Sequence, residues 1–331
     1  MFVGHALAAF AVVALLSRRR GAAPARALTV GAVAGLFAAV PDVDIVYALV
    51  GVASGLAADA GALALAETFW ATGNVVHRTV THSVVVAPVV ALAVWGWVDG
   101  RPVARLAALA LAAGLLAVAT SVGGALAGAV TVAFVAAALA LAAGVRRRTA
   151  LSPRTIAVLA LVGIVSHPFG DVFTGEPPAL LHPLGPEVLT ARVTLSADPT
   201  LHLLGAFAVE LATVWAAVIV WSRLRAERDG RPVGRLGAAE GVDLRAVAGT
   251  GYAAGAFVIP APTLELSYPF VLSVVAVGAV GAVPVRLRRR GRAAFAPEFA
   301  RPGAERALFT GLTAVTLAAG AYLLTYLAGV A

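Results

Sequence analysis

The chain is a succession of long apolar runs separated by short polar connections. Several runs approach or exceed the ~20 residues that a helix needs to cross a bilayer. A backbone in lipid must satisfy its own hydrogen bonds, so the pattern predicts an all-α, polytopic membrane bundle of about ten transmembrane helices. The predicted spans are 2–17, 27–46, 83–98, 104–121, 124–145, 154–173, 202–222, 245–262, 267–285 and 306–329.

The connections carry the positive charge of the protein and predict its orientation. Arginines cluster at 18–26, 101–105, 146–154, 223–235 with Arg245, and 286–301. If these clusters lie in the cytoplasm by the positive-inside rule, the spans alternate and both termini lie outside. The formal net charge of +8 is therefore explained by topology, and no nucleic-acid partner is expected.

Polar residues that are far apart in sequence fall at the outer ends of the predicted spans. This placement favours a divalent-metal site of one or two ions on the extracytoplasmic side. Cysteine is absent, so histidine, carboxylate and water are the available ligands. The candidate ligands are His5, Asp42, Asp44, His77, His82, His167 and Asp171. For His5, exposure near the terminus is the alternative.

The stretch 76–83, VHRTVTHS, has the highest density of such residues. Five positions on a helix rotate a side chain about 140° away from the first, so its two histidines cannot share one helical face. We expect His77 before a helix and His82 in its first turn, with Thr79 or Thr81 as the cap. The planar guanidinium of Arg78 suits an anionic oxygen, and a lipid-headgroup anchor is the alternative.

Two further motifs place carboxylates at span ends. In PDVD, Pro41 is expected to interrupt the helix and turn Asp42 and Asp44 towards a metal; an interfacial helix end is the alternative. In SHPFGD, His167 and Asp171 are four residues apart, which places them on one helical face.

Other polar residues are weaker candidates. His182 and His202 are expected to contact substrate or to support the ligands, and Glu210 is an acid within a span. The connection 47–76 is predicted to form an interfacial helix, and the proline-rich connection 174–201 a loop.

The ordered set of His5, PDVD, HRTVTHS and SHPFGD resembles the YdjM-like membrane-bound metal-dependent hydrolases over roughly residues 1–205. That family is similar in its helical core to zinc-dependent phospholipase C and P1-type nucleases, whose clusters also use a histidine followed four residues later by aspartate. This chain lacks their second His-x-x-x-Glu pair, since Ala206 follows His202 at that spacing. The resemblance implies a zinc-dependent hydrolase-like membrane domain at 1–222. Residues 223–331 resemble no family and are predicted to form additional transmembrane helices of unassigned role.

The resemblance also implies a reaction in which water attacks a phosphoester or ester, with a lipid as the preferred substrate class. Asp42 or Asp44 would take the proton and Arg78 would stabilise the developing anion, which makes these three residues the expected catalytic groups. A membrane transporter or metal-ion carrier that uses the same cluster as a binding site is the alternative. Transporter sites usually lie at the midplane of the bilayer, whereas these residues gather at one face.

Overall fold

The computed structural model describes residues 2–73, 78–185, 187–232, 241–290, 294–299 and 303–329. Helices dominate, which confirms the predicted helical architecture, and one antiparallel hairpin is added to it. The α-helices are α1 (Phe2–Arg19), α2 (Pro24–Ala38), α3 (Ala48–Ala57), α4 (Ala62–Gly73), α5 (Val86–Asp99), α6 (Pro102–Arg148), α7 (Pro153–Gly170), α8 (Pro199–Arg228), α9 (Tyr268–Ala276) and α10 (Ala304–Leu327). The 3₁₀ helices are Pro41–Tyr47, Val80–His82, Asp171–Phe173, Leu244–Phe257 and Val277–Ala282, and the strands are β1 (Val285–Arg290) and β2 (Ala294–Phe299).

Among the described residues, four helices are long and apolar enough to cross a membrane. They are α6, α7 with its 3₁₀ extension, α8 and α10, and the bent pair Pro24–Ala38 with Pro41–Ala57 would be a fifth. The prediction of ten spans is not confirmed. Predicted spans three, eight and nine correspond to the 14 residues of α5, a 3₁₀ helix of 14 residues and the nine residues of α9. Each is shorter than the ~20 residues that an α-helix needs to cross a bilayer. Hydropathy predicts apolar segments but does not show where a helix begins and ends within them.

Helix α6 is 47 residues long but is not one continuous rod. Gly124 has φ 72° and ψ −171°, which lies outside helical geometry. A methyl group placed on Gly128 would meet Thr120 Oγ1 and Leu116 Cδ1, residues too distant along a straight helix to be in contact. The chain therefore folds back near Gly124, at the predicted boundary between spans four and five.

The described chain forms two compact units. The first consists of Met1–Arg20 and Thr29–Val193, and its core joins α2, α5, α6 and α7 through fully buried side chains that include Phe37, Phe134 and Ile156. The second consists of Gly21–Leu28 and Thr194–Ala331.

Small residues allow the helices of the first unit to approach closely. A Cβ at Gly35 would lie 2.6 Å from the carbonyl oxygen of Ala6 in α1, and one at Gly163 would lie 2.5 Å from that of Ala34 in α2. Such contacts between backbones are typical of helix packing in membranes. The hydrophobic effect does not drive helices together in lipid, so association depends on the close packing that small residues allow. They bring the ends of α1, α2 and α7 together.

The second unit has its own core. Phe270 of α9 and Tyr322 of α10 are fully buried, with ring centroids 5.0 Å apart. The 3₁₀ helix Leu244–Phe257 packs on α10, where a Cβ at Gly249 would lie 2.2 Å from the carbonyl oxygen of Ala314. This contact requires glycine.

The two long connections differ in character. The connection predicted as an interfacial helix contains two helices, α3 and α4, which meet where Gly51 lies against Thr72. In the proline-rich connection, the described residues from 174 to 198 contain no α-helix or strand, as predicted.

Candidate metal centre

Five predicted ligands converge at one end of the first unit. The 3₁₀ helices at residues 41–47 and 80–82 supply one each, α1 supplies one, and α7 with its extension supplies two. Four of the five are at most 5% exposed, and the Asp42 side chain is 12% exposed. We call this set the His/Asp cluster: His5, Asp42, His82, His167 and Asp171.

Several pairs of potential ligand atoms lie within contact distance. His82 Nε2 and His167 Nε2 are 2.9 Å apart. Asp171 Oδ2 lies 3.0 Å from the first nitrogen and 3.6 Å from the second. Asp42 Oδ1 lies 3.3 Å from His167 Nε2.

His167 is held by a backbone carbonyl group at the end of α2. Its Nδ1 is 2.6 Å from the carbonyl oxygen of Ala38, where α2 ends. A carbonyl oxygen only accepts hydrogen bonds, so Nδ1 must carry the proton and donate. In the neutral ring, Nε2 then keeps its lone pair and directs it into the cluster.

His82 is held in the same way by a chain of two side chains. The Thr81 hydroxyl donates to Asp44 Oδ2 at 2.6 Å and lies 2.8 Å from His82 Nδ1. Its one proton is used on Asp44, so its oxygen accepts from His82 Nδ1–H and leaves His82 Nε2 with a lone pair. Burial lowers the pKa of His82 to about 4, so the ring is neutral near pH 7.

Two imidazole lone pairs and two carboxylate oxygens therefore face one another in a buried space. Such a set is electrostatically unfavourable unless a cation lies among it. Ligand atoms arranged tetrahedrally about 2.0–2.1 Å from zinc would be ~3.3–3.4 Å apart. The pairs formed by His82 with His167, by Asp171 with each of these histidines, and by Asp42 with His167 are 2.9–3.6 Å apart. A mixed histidine and carboxylate set also suits zinc chemically. The residues present fit a divalent metal.

His5 lies on the other side of Asp171. Its Nε2 is 3.1 Å from Asp171 Oδ1, and its ring centroid is 4.1 Å from that of His167. A Cβ at Gly170 would lie 2.3 Å from His5 Nδ1, so the ring occupies space that only glycine leaves. His5, His167 and Asp171 form a second group that could hold a metal, which shares His167 with the group of Asp42 and His82.

Arg78 fixes the segment that follows α7. Its Nη2 donates to Asp171 Oδ1 at 3.3 Å and to Thr174 Oγ1 at 3.1 Å. Its Nη1 donates to the backbone oxygens of Asp171, Thr174 and Glu176. The guanidinium is close to Gly175, which has φ 61° and where a Cβ would lie 3.0 Å from Nη1. These contacts connect the HRTVTHS and SHPFGD motifs directly.

The comparison with known families agrees with the sequence motifs. The model of the YdjM inner membrane protein family matches residues 1–228. The chain belongs to this family. The predicted family resemblance is thus confirmed, and the protein is a membrane protein. No curated protein and no solved structure matches the chain.

The match to the YdjM family spans every residue of the His/Asp cluster, since all five lie within 1–228. It also extends beyond the first compact unit into α8. The motifs and the family match therefore refer to the same part of the chain.

Two sequence predictions about the start of α5 in this YdjM family member need correction. His82 is not in the first turn of the helix but ends the 3₁₀ turn Val80–His82, and α5 begins at Val86. The N-cap residue of α5 is Val85, which makes no side-chain cap bond. The amides of Val85 and Val86 donate to Ser83 Oγ, where Thr79 or Thr81 was expected. The predicted ligand His77 lies outside the described residues.

Asp44 lies close to the cluster, on the side of His82 that faces away from the other ligands. Its Oδ2 is 3.7 Å from His82 Nδ1, the ring nitrogen that faces away from the other ligands, and it accepts from Thr81. This arrangement favours orientation of His82 over direct ligation. Ligation by Asp44 stays a prediction.

The weaker candidates lie elsewhere in this YdjM family member. His182 lies in the loop near Ser83. The Ser83 hydroxyl donates to the carbonyl oxygen of His182 at 2.6 Å. His202 belongs to the second unit, where its Nδ1 accepts from the amide of Leu195. Glu210 is half-buried in α8.

The sequence did not reveal three supporting groups. The Ala38 carbonyl, the Thr81 hydroxyl and the open side of Gly170 all shape the cluster. Only Thr81 carried a visible signal, as a hydroxyl residue immediately before a candidate ligand.

Proposed function

We propose that this protein is a metal-dependent hydrolase that uses water to cleave a phosphoester or ester at the extracytoplasmic face of the membrane. The observation that carries the proposal is the convergence of His82 Nε2, His167 Nε2, Asp42 Oδ1 and Asp171 Oδ2. Both imidazoles are oriented by hydrogen bonds on their far sides, which is how proteins prepare histidines for metal.

Zinc is the proposed ion, held by His82, His167 and Asp42, with His5, His167 and Asp171 in a position to hold a second ion. When bound, a divalent ion supplies Lewis acidity that lowers the pKa of water and polarises a phosphoryl or carbonyl oxygen. The remaining functions belong to the side chains around it.

Asp42 is our candidate for accepting the proton of the attacking water. Its side chain is 12% exposed, whereas those of Asp44 and Asp171 are 0% and 2% exposed. Asp44 already accepts a hydrogen bond from Thr81, and Asp171 accepts one from Arg78. Asp42 is therefore the carboxylate best placed to exchange a proton with a substrate or with solvent.

Arg78 fits a positioning role. Both of its terminal nitrogens donate to Asp171 and to the 174–176 segment. Holding Asp171 in place fixes a ligand that contacts both His5 and His82. Stabilisation of a developing anion by Arg78, as expected from the sequence, stays a prediction.

The test is metal analysis and hydrolysis by the purified full chain in lipid nanodiscs. We expect bound zinc, and release of phosphate or headgroup from mixed phospholipids or a chromogenic phosphodiester. His82→Ala and Asp171→Asn should lose both. Asp99→Asn is the matched control, because Asp99 pairs with Arg101 at an exposed position away from the cluster.

The outcomes separate an enzyme from a carrier. Hydrolysis that is unchanged in His82→Ala would contradict the proposal. Zinc that is bound stoichiometrically and carried into proteoliposomes, without hydrolysis of any ester, would favour the metal-ion carrier instead.

A further inference from the structure

A cavity of about 660 Å³ lies in the first unit. Its walls come from Val80 and Val85, from α5, from the part of α6 that precedes Gly124, here called its first arm, and from residues 182–184. Among its fourteen lining residues, His182 alone has a polar side chain. The lining residues are Val80, Val85, Val86, Val89, Ala107, Ala110, Leu111, Gly114, Leu115, Val118, Ala119, His182, Pro183 and Leu184.

The cavity and the His/Asp cluster share one stretch of chain. Val80 lines the cavity and opens the 3₁₀ turn that ends at His82. Ser83 follows, and its hydroxyl holds the carbonyl oxygen of His182 at the polar part of the lining. A molecule in the cavity therefore lies against the backbone segment that presents a metal ligand.

We propose that this cavity binds one acyl chain of a membrane glycerolipid whose head reaches the His/Asp cluster. The inference rests on the proposed function and names its substrate class. Its volume falls within the range of about 300–1,000 Å³ that is usual for small-ligand pockets. The uncharged lining complements a hydrocarbon chain, and the adjoining metal ligands complement an anionic or ester head.

The first arm of α6 indicates that the chain comes from the bilayer. Along this arm, within the predicted span 104–121, Leu106 and Leu109 are 66% and 51% exposed. Large apolar side chains at such positions in a membrane protein face lipid. The helix that walls the cavity is thus in contact with hydrocarbon, which gives a lipid lateral access.

Gly114 offers a direct way to block the cavity. A Cβ at this lining position meets no atom within 4 Å, so Gly114→Leu should fill the space without disturbing the helix. Gly320→Leu in α10 is the matched control, because Gly320 also has no neighbour within 4 Å and does not line the cavity.

The probe is a phosphatidylglycerol with a diazirine in one acyl chain, incorporated into nanodiscs with the full 331-residue chain. After irradiation, cross-linked peptides are identified by mass spectrometry. We expect labelling concentrated at 107–119 and 182–184, reduced by at least about tenfold in Gly114→Leu, a loss equivalent to ~1.4 kcal/mol of binding. Gly320→Leu should be labelled like the wild type.

Two results would overturn the inference. One is labelling at 107–119 that is equal in Gly114→Leu and the wild type when both variants have the same melting temperature. The other is labelling spread evenly over exposed apolar positions of all helices, as for lipid that only surrounds the protein.

Failure of the proposed function would look different. In His82→Ala the cavity should still be labelled, since His82 does not line it, although hydrolysis should be lost. Concentrated labelling in a wild-type protein that hydrolyses no ester would uphold the lipid cavity and contradict the hydrolase.

Discussion

At the scale of single residues, the Thr81 hydroxyl is the least conspicuous determinant of the cluster. It connects Asp44 to His82 through contacts of 2.6 and 2.8 Å, and thereby fixes which nitrogen of His82 faces the other ligands. Thr81→Val keeps the shape but removes the acceptor for Nδ1–H. We expect zinc affinity to fall by about 10- to 100-fold, as is usual when a partner of a metal-binding histidine is removed.

Thr81→Ser provides the control for this prediction, because it restores a hydroxyl in the same position. Competition with a fluorescent zinc chelator measures the affinity of both variants. Equal affinities for Thr81→Val and the wild type would show that the hydroxyl does not orient His82.

Gly170 matters for the space it leaves. A methyl group there would lie 2.3 Å from His5 Nδ1 and 2.4 Å from its Cε1, so Gly170→Ala should displace the His5 ring. We expect the content of bound metal or the zinc affinity to drop by about tenfold or more. Gly114→Ala, where nothing lies within 4 Å, should bind zinc like the wild type.

The members of the cluster could be predicted from sequence, whereas their supports could not. His5, Asp42, His82, His167 and Asp171 are chemically conspicuous in an apolar chain, and all five converge as expected. The Ala38 carbonyl is a backbone group 129 residues from His167. No side-chain pattern marks such a contact, because it depends on how α2 and α7 pack.

At the scale of elements, Gly124 divides α6 into two arms. Its φ of 72° and ψ of −171° belong to a region populated almost only by glycine. Gly124→Ala should therefore lower stability by about 1–3 kcal/mol. The melting temperature of the detergent-solubilised protein measures the effect, and an unchanged value would contradict the assigned break.

Gly114→Ala is again the matched control, since Gly114 lies in the first arm of α6 and meets no atom within 4 Å. Alanine favours a helix interior over glycine by about 1 kcal/mol, so this variant should be as stable as the wild type or more stable.

The elements of the second unit were harder to predict than those of the first. Predicted span eight, 245–262, is apolar enough for a transmembrane helix, yet Leu244–Phe257 is 3₁₀. Hydropathy measures transfer into lipid and does not distinguish helix types. The close contact between Gly249 and Ala314 depends on the partner helix, which the local sequence does not encode.

At the scale of the whole molecule, the sidedness of the site can be tested with single cysteines. The chain has no cysteine of its own, so each introduced thiol is unique. Leu184 is 72% exposed and lies on the loop near the cluster, and Arg147 is an exposed member of an arginine cluster. In intact cells, a membrane-impermeant maleimide should label Leu184→Cys and not Arg147→Cys.

Permeabilised cells provide the control, in which both thiols should react. Labelling of Arg147→Cys alone in intact cells would reverse the predicted orientation and place the site in the cytoplasm. The positive-inside rule would then not hold for this chain.

Ser83 lies between the two halves of the proposed lipid site. Its neighbour His82 is a proposed metal ligand, and its hydroxyl holds the carbonyl of His182 in the cavity wall. Loading of zinc and entry of a hydrocarbon chain thus act on one rigid turn and should be cooperative. Thermodynamic linkage requires the effect to be reciprocal: any factor by which lipid strengthens zinc binding must equal the factor by which zinc strengthens lipid binding.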